Sequence, residues 1–195
     1  MPQIAVNLDV FSTAREAIKG LASDISKLNE IPIKTRKKYI EVIDETMTLL
    51  DSALLLVIHR LGELLQLADD EFRKQLSQID YEGQWMDMER SIRLCKNLRL
   101  SMTEMSNVMN SLLAEIALSR KDEVSRSLSN LLAAEAELAG IISSLLRELA
   151  IAADDAKLPS DIGALREDTK QARDSFRQER DRLIQDQIAI MNYIL

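Results

Sequence analysis

The stretch IEVIDETMTLLDSALLLVIHRLGEL, residues 40–64, decides the fold of this chain. Its apolar residues recur at alternating steps of three and four, the spacing that places side chains on one face of an α-helix. Between Ala53 and Ile58 the stretch is apolar nearly all round, which is typical of a helix covered on several sides. We therefore predict a long central helix with one apolar seam. The residues of that seam are Ile40, Ile43, Met47, Leu50, Leu54, Val57, Leu61 and Leu64.

The same periodicity continues along the chain and predicts six helices, at about 12–30, 33–67, 70–80, 84–118, 121–157 and 160–195. The second, fourth, fifth and sixth are nearly equal in length, and short loops between equal helices favour antiparallel neighbours. We predict an all-α fold, an elongated antiparallel four-helix bundle of long helices. An extra N-terminal helix and one short helix would pack on its side or end. Residues 1–195 would form a single domain.

Local signals predict where the helices begin and end. Thr13 and Glu16 have the spacing of a capping box, in which side chains bond the free N–H groups of the first turn. Pro32 marks a boundary, and Ser160 is the predicted cap of the last helix. The residues 81–83, Tyr-Glu-Gly, are the clearest turn signal between the short third helix and the fourth.

Composition agrees with a helical protein and excludes several functions. The 195 residues are 46% hydrophobic but only 4% aromatic, with five glycines and three prolines. A net charge of −7 argues against nonspecific nucleic-acid binding, which requires a basic face. The single cysteine, Cys95, permits no intrachain disulfide and favours a reducing compartment. The first residues lack a signal-peptide pattern, and no apolar run is long enough to span a bilayer, so we expect a cytoplasmic protein.

Glu135 is a carboxylate on the predicted apolar seam of the fifth helix. If the chain turns tightly at residues 119–122 and again near Pro159, Glu135 lies level with Arg182, and Arg180 lies close to the same seam. We interpret Glu135 as half of an ion pair with Arg180 or Arg182 that fixes the register of the helices, or as a side chain that reaches solvent. The alternative is a carboxylate that binds a ligand or transfers protons. A continuous helix through 119–122 would remove the basis for both pairings.

The sequence predicts no catalytic group, metal ligand or cofactor. His59 is the only histidine, so a histidine-based metal site is excluded. Cys95 and His59 could lie at a similar height in the bundle and form a nucleophile pair. Cys95, however, occupies a seam position, where a free cysteine usually behaves as a small buried apolar residue. We therefore expect the protein not to be an enzyme.

Two groups of basic residues stand out. Lys34, Arg36, Lys37 and Lys38 crowd the start of the second helix, where cations oppose the helix dipole. They could bind an acidic partner or an anionic membrane surface, or they could be solvated or paired with acids of a neighbouring helix. The second group alternates with acids along the last helix, which is typical of an exposed face with internal salt bridges. Its residues are Arg166, Lys170, Arg173, Arg177 and Arg180, interleaved with Glu167, Asp174 and Asp181.

These observations favour a non-catalytic protein–protein interaction or scaffold module. Its partner would be another protein or a second copy of the chain, because the last helix ends in the apolar stretch LIQDQIAIMNYIL, residues 183–195. The first alternative is a bundle that binds or perturbs membrane surfaces through residues 34–38 and amphipathic helices. The second is a small-ligand binder or enzyme with a pocket between helices, near Glu135 or His59.

Overall fold

The computed structural model of the chain describes residues 8–27, 33–82, 107 and 144–192. They form α1 (Asp9–Lys27), α2 (Ile33–Leu64), α3 (Asp69–Glu82), a helix over residues 144–155, labelled α4, and α5 (Pro159–Asn192). Every regular element in these ranges is a helix, and the helices pack as a bundle, which confirms the all-α class. The predicted helix at 84–118 and most of the one at 121–157 lie outside the described residues. The four-helix antiparallel arrangement and the single domain therefore stay predictions.

α2 and α5 run antiparallel along most of their length. Near the start of α2, the amide of Gln187 donates a hydrogen bond to Asp44 at 2.7 Å. Just beyond the end of α2, the guanidinium of Arg166 donates to the carbonyl of Leu65 at 3.0 Å. The partners in α5 therefore fall in number as those in α2 rise, which fixes the direction and register of the pair.

α1 packs against both α2 and α5. The ring of Phe11 meets the ring of Phe176 edge-on, with 6.1 Å between the centroids and 88° between the planes. Two turns further along α1, the ammonium of Lys19 lies 3.3 Å from the carboxylate of Asp186. Because the two partners rise in number together, α1 runs parallel to α5 and antiparallel to α2.

The predicted apolar seams form the core. Every residue of the α2 seam is at most 7% exposed. All five described helices contribute to one cluster of buried apolar side chains, and only apolar contact of this kind holds long amphipathic helices together in water. In α1, Ala14 and Ile18 are buried, and in α4 so are Leu145 and Leu149. The buried seam of α5 comprises Ile162, Leu165, Ala172, Phe176, Leu183 and Ile190; Ile194 lies outside the described residues.

The start of α1 differs from the prediction. The helix begins at Asp9, so Thr13 already lies inside it, and its hydroxyl donates to the carbonyl of Asp9 at 2.8 Å. A threonine that bonds the carbonyl four residues earlier is a helix-interior residue and not a cap. The predicted capping box of Thr13 with Glu16 is therefore wrong.

The start of α5 is also capped differently. The helix begins at Pro159, which suits a first helical position because proline has no N–H to leave unpaired. The carboxylate of Asp161 reaches back and accepts a hydrogen bond from the N–H of Leu158 at 3.1 Å. Asp161, at the third helical position, therefore caps the start of the helix, a role that was predicted for Ser160.

Two helix ends near the middle of the chain are shifted. α2 ends at Leu64, and residues 65–67 form a turn where the prediction extended the helix to 67. α3 continues to Glu82, so Tyr81 and Glu82 are helical and the turn predicted at 81–83 does not begin there. Such shifts of two or three residues are ordinary at helix ends, where side-chain contacts decide the last turn.

Arg166 joins the ends of α2, α3 and α5. Its guanidinium donates to the carbonyls of Leu65 and Leu67 and, at 2.8 Å, to the carboxylate of Asp69. It also lies 4.5 Å from the centre of the Phe72 ring. The carbonyls that follow a helix have no partner within the helix, so this arginine satisfies them. Arg166 was predicted on an exposed face with internal salt bridges, but it contacts neighbouring elements instead.

Candidate functional site

A groove of about 480 Å³ lies between α2 and α5. On the α2 side it extends from Leu55 to Glu63, roughly 12 Å of helix, and on to Gln66 in the turn that follows α2. On the α5 side it is bordered by Arg177, Arg180 and Asp181. The groove therefore follows the antiparallel contact between the two longest described helices.

The floor of the groove is open, and its apolar residues are Leu55, Ile58 and Gly62; the other lining residues are polar or charged. Ile58 is 7% exposed, whereas Leu55, one turn earlier, keeps 37% of its surface exposed. Gly62 follows at the same helical spacing and adds no side chain. Among the described residues, the nearest atom to a Cβ built at Gly62 is the Cδ of Arg173, at 4.0 Å. Because Leu55 faces solvent and Gly62 has no side chain, the groove has space at these two positions for an apolar side chain from another molecule.

The rims of the groove carry charges of both signs. On the α5 rim, Arg180 is held by two hydrogen bonds to Asp51, of 2.7 and 3.3 Å. Arg177 is 53% exposed and lies 3.5 Å from Asp174 of its own helix. On the α2 rim, Glu63 is 60% exposed. The fixed Arg180 pair stabilises the wall, while the side chains of Arg177 and Glu63 are both more than half exposed, Glu63 being paired with Arg60 of its own helix at 3.0 Å.

His59 lines the groove and is exposed, and Cys95, its hypothetical partner, lies outside the described residues. Within residues 8–27, 33–82 and 144–192, no three His, Cys, Asp or Glu side chains are placed to hold one metal ion. The chemistry that this arrangement supports is recognition through apolar contact and ion pairs.

A buried ion network on the opposite side of α5 escaped the sequence analysis. Glu179 is 3% exposed and accepts hydrogen bonds from Arg15 at 3.1 Å and from Arg182 at 3.3 Å. Arg15 also donates to Asp186, which in turn contacts Lys19. A buried carboxylate requires such partners, because an isolated charge is costly to remove from water.

The pKa values of the two α1 cations reflect this network. Burial, the largest single influence on Arg15, lowers its pKa, but the hydrogen bonds and charges of Asp186 and Glu179 together raise it. The hydrogen bond to Asp186 is the main cause that raises the pKa of Lys19 above its ordinary 10.5. A raised pKa means that the folded chain holds the proton more tightly. The stabilisation from Lys19 is therefore fully present below pH 10.5 and is lost as the pH rises through the folded value.

The signal for the buried network is present in the sequence. Steps of three and four through Phe176 and Leu183 place Glu179 and Asp186 on the same seam, which ends at Ile190. Glu179 and Asp186 were not predicted as seam residues because only apolar residues were assigned to that seam, and Glu135 was the one seam carboxylate considered. Glu179 has the property predicted for Glu135, since it is a carboxylate that needs an arginine across a helix contact.

Of the three residues predicted for the seam ion pair, the structure describes Arg180 and Arg182. Glu135 lies outside the described residues, so its ion pair stays a prediction. Of its two proposed partners, Arg180 binds Asp51 of α2, and Arg182 contacts Glu179 of its own helix. Both arginines therefore already have carboxylate partners in the described part of the chain.

The basic cluster Lys34, Arg36, Lys37 and Lys38 occupies the first turns of α2. Of these four, the structure describes the side chain of Lys37, which is exposed. Because α1 and α5 both run antiparallel to α2, their C-terminal ends lie at this same end of the bundle. The negative ends of two helix dipoles thus favour cations that the dipole of α2 itself disfavours.

The position of the cluster predicts an effect on stability. Replacing Lys34, Arg36, Lys37 and Lys38 by glutamate should lower the free energy of unfolding by about 1–2 kcal/mol at low salt. The four changes remove cations beside the ends of α1 and α5 and shift the net charge from −7 to −15, which should outweigh the gain at the start of α2. Added salt of about 1 M should remove most of that loss, because it screens exposed charges. Urea unfolding at both salt concentrations measures the effect, with Lys170→Glu in the middle of α5 as control. An unchanged stability at low salt would contradict the dipole explanation and would favour a role of the cluster in binding a partner.

Binding of a membrane surface by this cluster stays a prediction. Ile33, which precedes the cluster, is 81% exposed, as a residue that inserts into a lipid surface would be. Among the helices that the structure describes, none combines the length and apolar character needed to cross a bilayer.

Comparisons with known proteins give no further guide to the function. The chain matched no protein-family model, no curated protein and no solved structure. What the protein does is therefore inferred from its own residues and from the geometry of the groove.

Proposed function

We propose that the protein is a non-catalytic interaction module of the cytoplasm, and that its α2–α5 groove binds an amphipathic helix of a protein partner. The observation that carries the proposal is the exposed Leu55, which lies with Ile58 and Gly62 in an open groove whose other lining residues are polar or charged. The single cysteine, Cys95, agrees with a reducing compartment such as the cytoplasm.

The dimensions of the groove suit a helix. The roughly 12 Å of α2 that line the groove accommodate about two turns of a partner helix lying along it. Helices that bind in grooves present apolar side chains at steps of three, four and seven residues. Leu55 and Ile58 would contact two such side chains, and the space at Gly62 would accept a third.

The charges on the rims specify the orientation of the partner. Glu63 on the α2 rim attracts a basic side chain, and Arg177 on the α5 rim attracts an acidic one. The complementary helix therefore has an apolar face with lysine or arginine along one edge and aspartate or glutamate along the other. Exposed charges of this kind contribute more to selectivity and to the association rate than to affinity.

Binding of a small ligand is the weaker alternative. The volume of about 480 Å³ falls in the range of ligand pockets. Pockets of that kind bury most of their ligand, however, whereas Leu55 and both rims face solvent. The groove thus has the form of a docking surface.

A surface substitution tests the proposal. Leu55→Glu places a charge on the groove floor, and because Leu55 is already 37% exposed, the fold should tolerate the change. The matched control is Ile151→Glu, since Ile151 is 55% exposed and does not line the groove. Wild type and both variants are used as baits for affinity capture from a lysate of the source cells, and the retained proteins are quantified by mass spectrometry.

The expected result is a protein that wild type and Ile151→Glu retain equally and that Leu55→Glu retains at least about tenfold less, a change of about 1.4 kcal/mol in binding. Retention of the same proteins in the same amounts by Leu55→Glu would refute the groove as the binding site. Failure of the wild type to retain any protein specifically would refute the proposed module.

A further inference from the structure

We propose that the partner of the α2–α5 groove is the same groove of a second copy of this chain, with α2 against α2 and α5 against α5, each pair antiparallel. This pairing rests on the proposed function of the groove and names its occupant. In a two-fold interface both copies use the same patch, so that patch has to be complementary to itself. Residues of α2 and residues of α5 meet this requirement independently.

On α2, an exposed leucine and a glycine can fill each other's positions. Leu55 is 37% exposed, and Gly62 lies seven residues, or about two turns, further along and has no side chain. Both line the groove. When a second α2 runs antiparallel over the groove, the Leu55 of each copy lies over the Gly62 of the other. The two-fold axis then passes midway between them, at the level between Ile58 and His59.

On α5, the charges on the groove side are arranged so that reversal of the helix pairs opposite signs. Four residues at steps of three, four and three lie on one face, with side chains between 42% and 57% exposed: Glu167, Lys170, Asp174 and Arg177. Ala172 is the midpoint both of Lys170 with Asp174 and of Glu167 with Arg177. Two antiparallel copies of α5 that cross at Ala172 therefore place Lys170 opposite Asp174 and Glu167 opposite Arg177.

The two axes lie at the same height in the bundle. Three hydrogen bonds show which residues of α2 and α5 are level with each other: Asp44 with Gln187, Asp51 with Arg180, and Leu65 with Arg166. In this register Ala172 is level with His59. The axis that Leu55 and Gly62 require and the axis that the α5 charges require thus agree within about half a residue, or about 1 Å along the helix.

The charges on α5 select the direction of the pairing. Within one copy, Lys170 lies 3.6 Å from Glu167, and Arg177 lies 3.5 Å from Asp174, which also binds Arg173. The two-fold axis joins a pair of one copy to a pair of the other and so forms two groups of alternating charge. Parallel α5 helices would instead place like charges opposite each other. Exposed charges of this kind add little affinity, but they exclude the wrong arrangement.

Sedimentation equilibrium of the full-length chain at rising concentration measures the association. The wild type should pass reversibly from one chain to two. Leu55→Glu should weaken this association by at least about a hundredfold, because a tenfold loss is expected at each of two equivalent sites. Ile151→Glu, which lies outside the groove, should leave it unchanged.

A wild type that stays a single chain at every concentration, or a pair that Leu55→Glu does not weaken, would overturn the proposal. The capture experiment with a lysate tests the proposed function separately. A different protein that is lost with Leu55→Glu, while the wild type stays a single chain, would support the groove as a binding site and reject the second copy as its occupant.

Two charge-sorted variants test the complementarity of α5. Lys170→Glu with Arg177→Glu makes its four charges acidic, and Glu167→Lys with Asp174→Lys makes them basic. Each variant alone should stay a single chain because like charges meet, whereas their equimolar mixture should show a species of two chains by size exclusion with light scattering. Adding Leu55→Glu to one variant should abolish that species, which separates the groove contact from a general attraction of opposite charges. A mixture that stays single, or a pair indifferent to Leu55→Glu, would overturn the proposal.

Disulfide crosslinking in a Cys95→Ser chain tests the direction of the helices. His59→Cys lies beside the axis and should link two chains readily. Glu41→Cys is also exposed on α2, but antiparallel pairing separates the two copies of this position by roughly 50 Å, so it should link far more slowly. Linking at equal rates at both positions would indicate parallel helices or random collision and would overturn the proposal.

Discussion

Phe176→Ala should lower the free energy of unfolding by about 4 kcal/mol. Phe176 is fully buried, and its ring meets Phe11 edge-on in the contact between α1 and α5. Removing it eliminates the transfer free energy of an aromatic side chain and leaves a cavity that long, straight helices fill only partly. Urea-induced unfolding followed by circular dichroism measures the loss.

A control and a double variant separate the contributions to this loss. Ile188→Ala removes apolar atoms from a residue of the same helix that is 58% exposed, and it should change stability by less than about 0.5 kcal/mol. Phe11→Ala combined with Phe176→Ala should be less destabilising than the sum of the single changes by about 1 kcal/mol, because the two rings contact each other. A loss below about 1.5 kcal/mol for Phe176→Ala would mean that α1 does not cover this ring.

Arg15→Leu should cost about 3 kcal/mol, although leucine is the more hydrophobic residue. The side chains of Arg15 and Glu179 are 11% and 4% exposed. Without the arginine, Glu179 stays buried and, among the described residues, keeps only its contact with Arg182. Asp186 also loses its contact with Arg15. Arg177→Leu, at a side chain that is 53% exposed, is the matched control and should change stability by less than about 0.5 kcal/mol. Thermal and urea unfolding of both variants measure the difference.

The double variant Arg15→Leu with Glu179→Leu distinguishes an unpaired charge from lost packing. If the cost comes from the uncompensated carboxylate, the double variant should regain most of the lost stability, because apolar residues often replace a buried ion pair without loss. If the double variant is less stable than Arg15→Leu alone, the buried-charge explanation of this network is wrong.

The class of the fold and its core could be predicted because the apolar period is regular. The seam of α2, from Ile40 to Leu64, is buried throughout, since steps of three and four in a long stretch permit one buried face only. The order of the described helices follows from the same pattern. Packing depends on where apolar residues lie, and the sequence displays that directly.

The helix ends could be predicted only within a few residues because they depend on single side-chain contacts. Thr13 resembles a cap in sequence, yet the helix extends one turn further back, to Asp9. Asp161 and Ser160 are both good capping residues, and the bond to the Leu158 N–H selects Asp161. Alternatives of this kind differ by about 1 kcal/mol or less, which a periodic pattern does not resolve.

The candidate site could be predicted only in part. His59 was named beside a possible inter-helix pocket, and it lines the groove, but Leu55 and Gly62 gave no chemical signal because they are ordinary helix residues in sequence. Arg180 was proposed as one partner of Glu135, which lies outside the described residues, and its pair with Asp51 was not predicted, since the partner of a charge depends on which helices become neighbours. Register across helices is a property of the assembled bundle, and local spacing does not determine it.

The antiparallel register of α2 and α5 determines both the groove and the site of α1. Distances between paired spin labels test it, with cysteines introduced into a Cys95→Ser chain. Glu41 and Ile188 are exposed and lie near the level of the contact between Asp44 and Gln187, whereas Glu167 lies toward the other end of α5. With this register, the distance from Glu41 to Ile188 should be shorter than the distance from Glu41 to Glu167 by roughly 20 Å or more. Equal distances, or the opposite order, would contradict it.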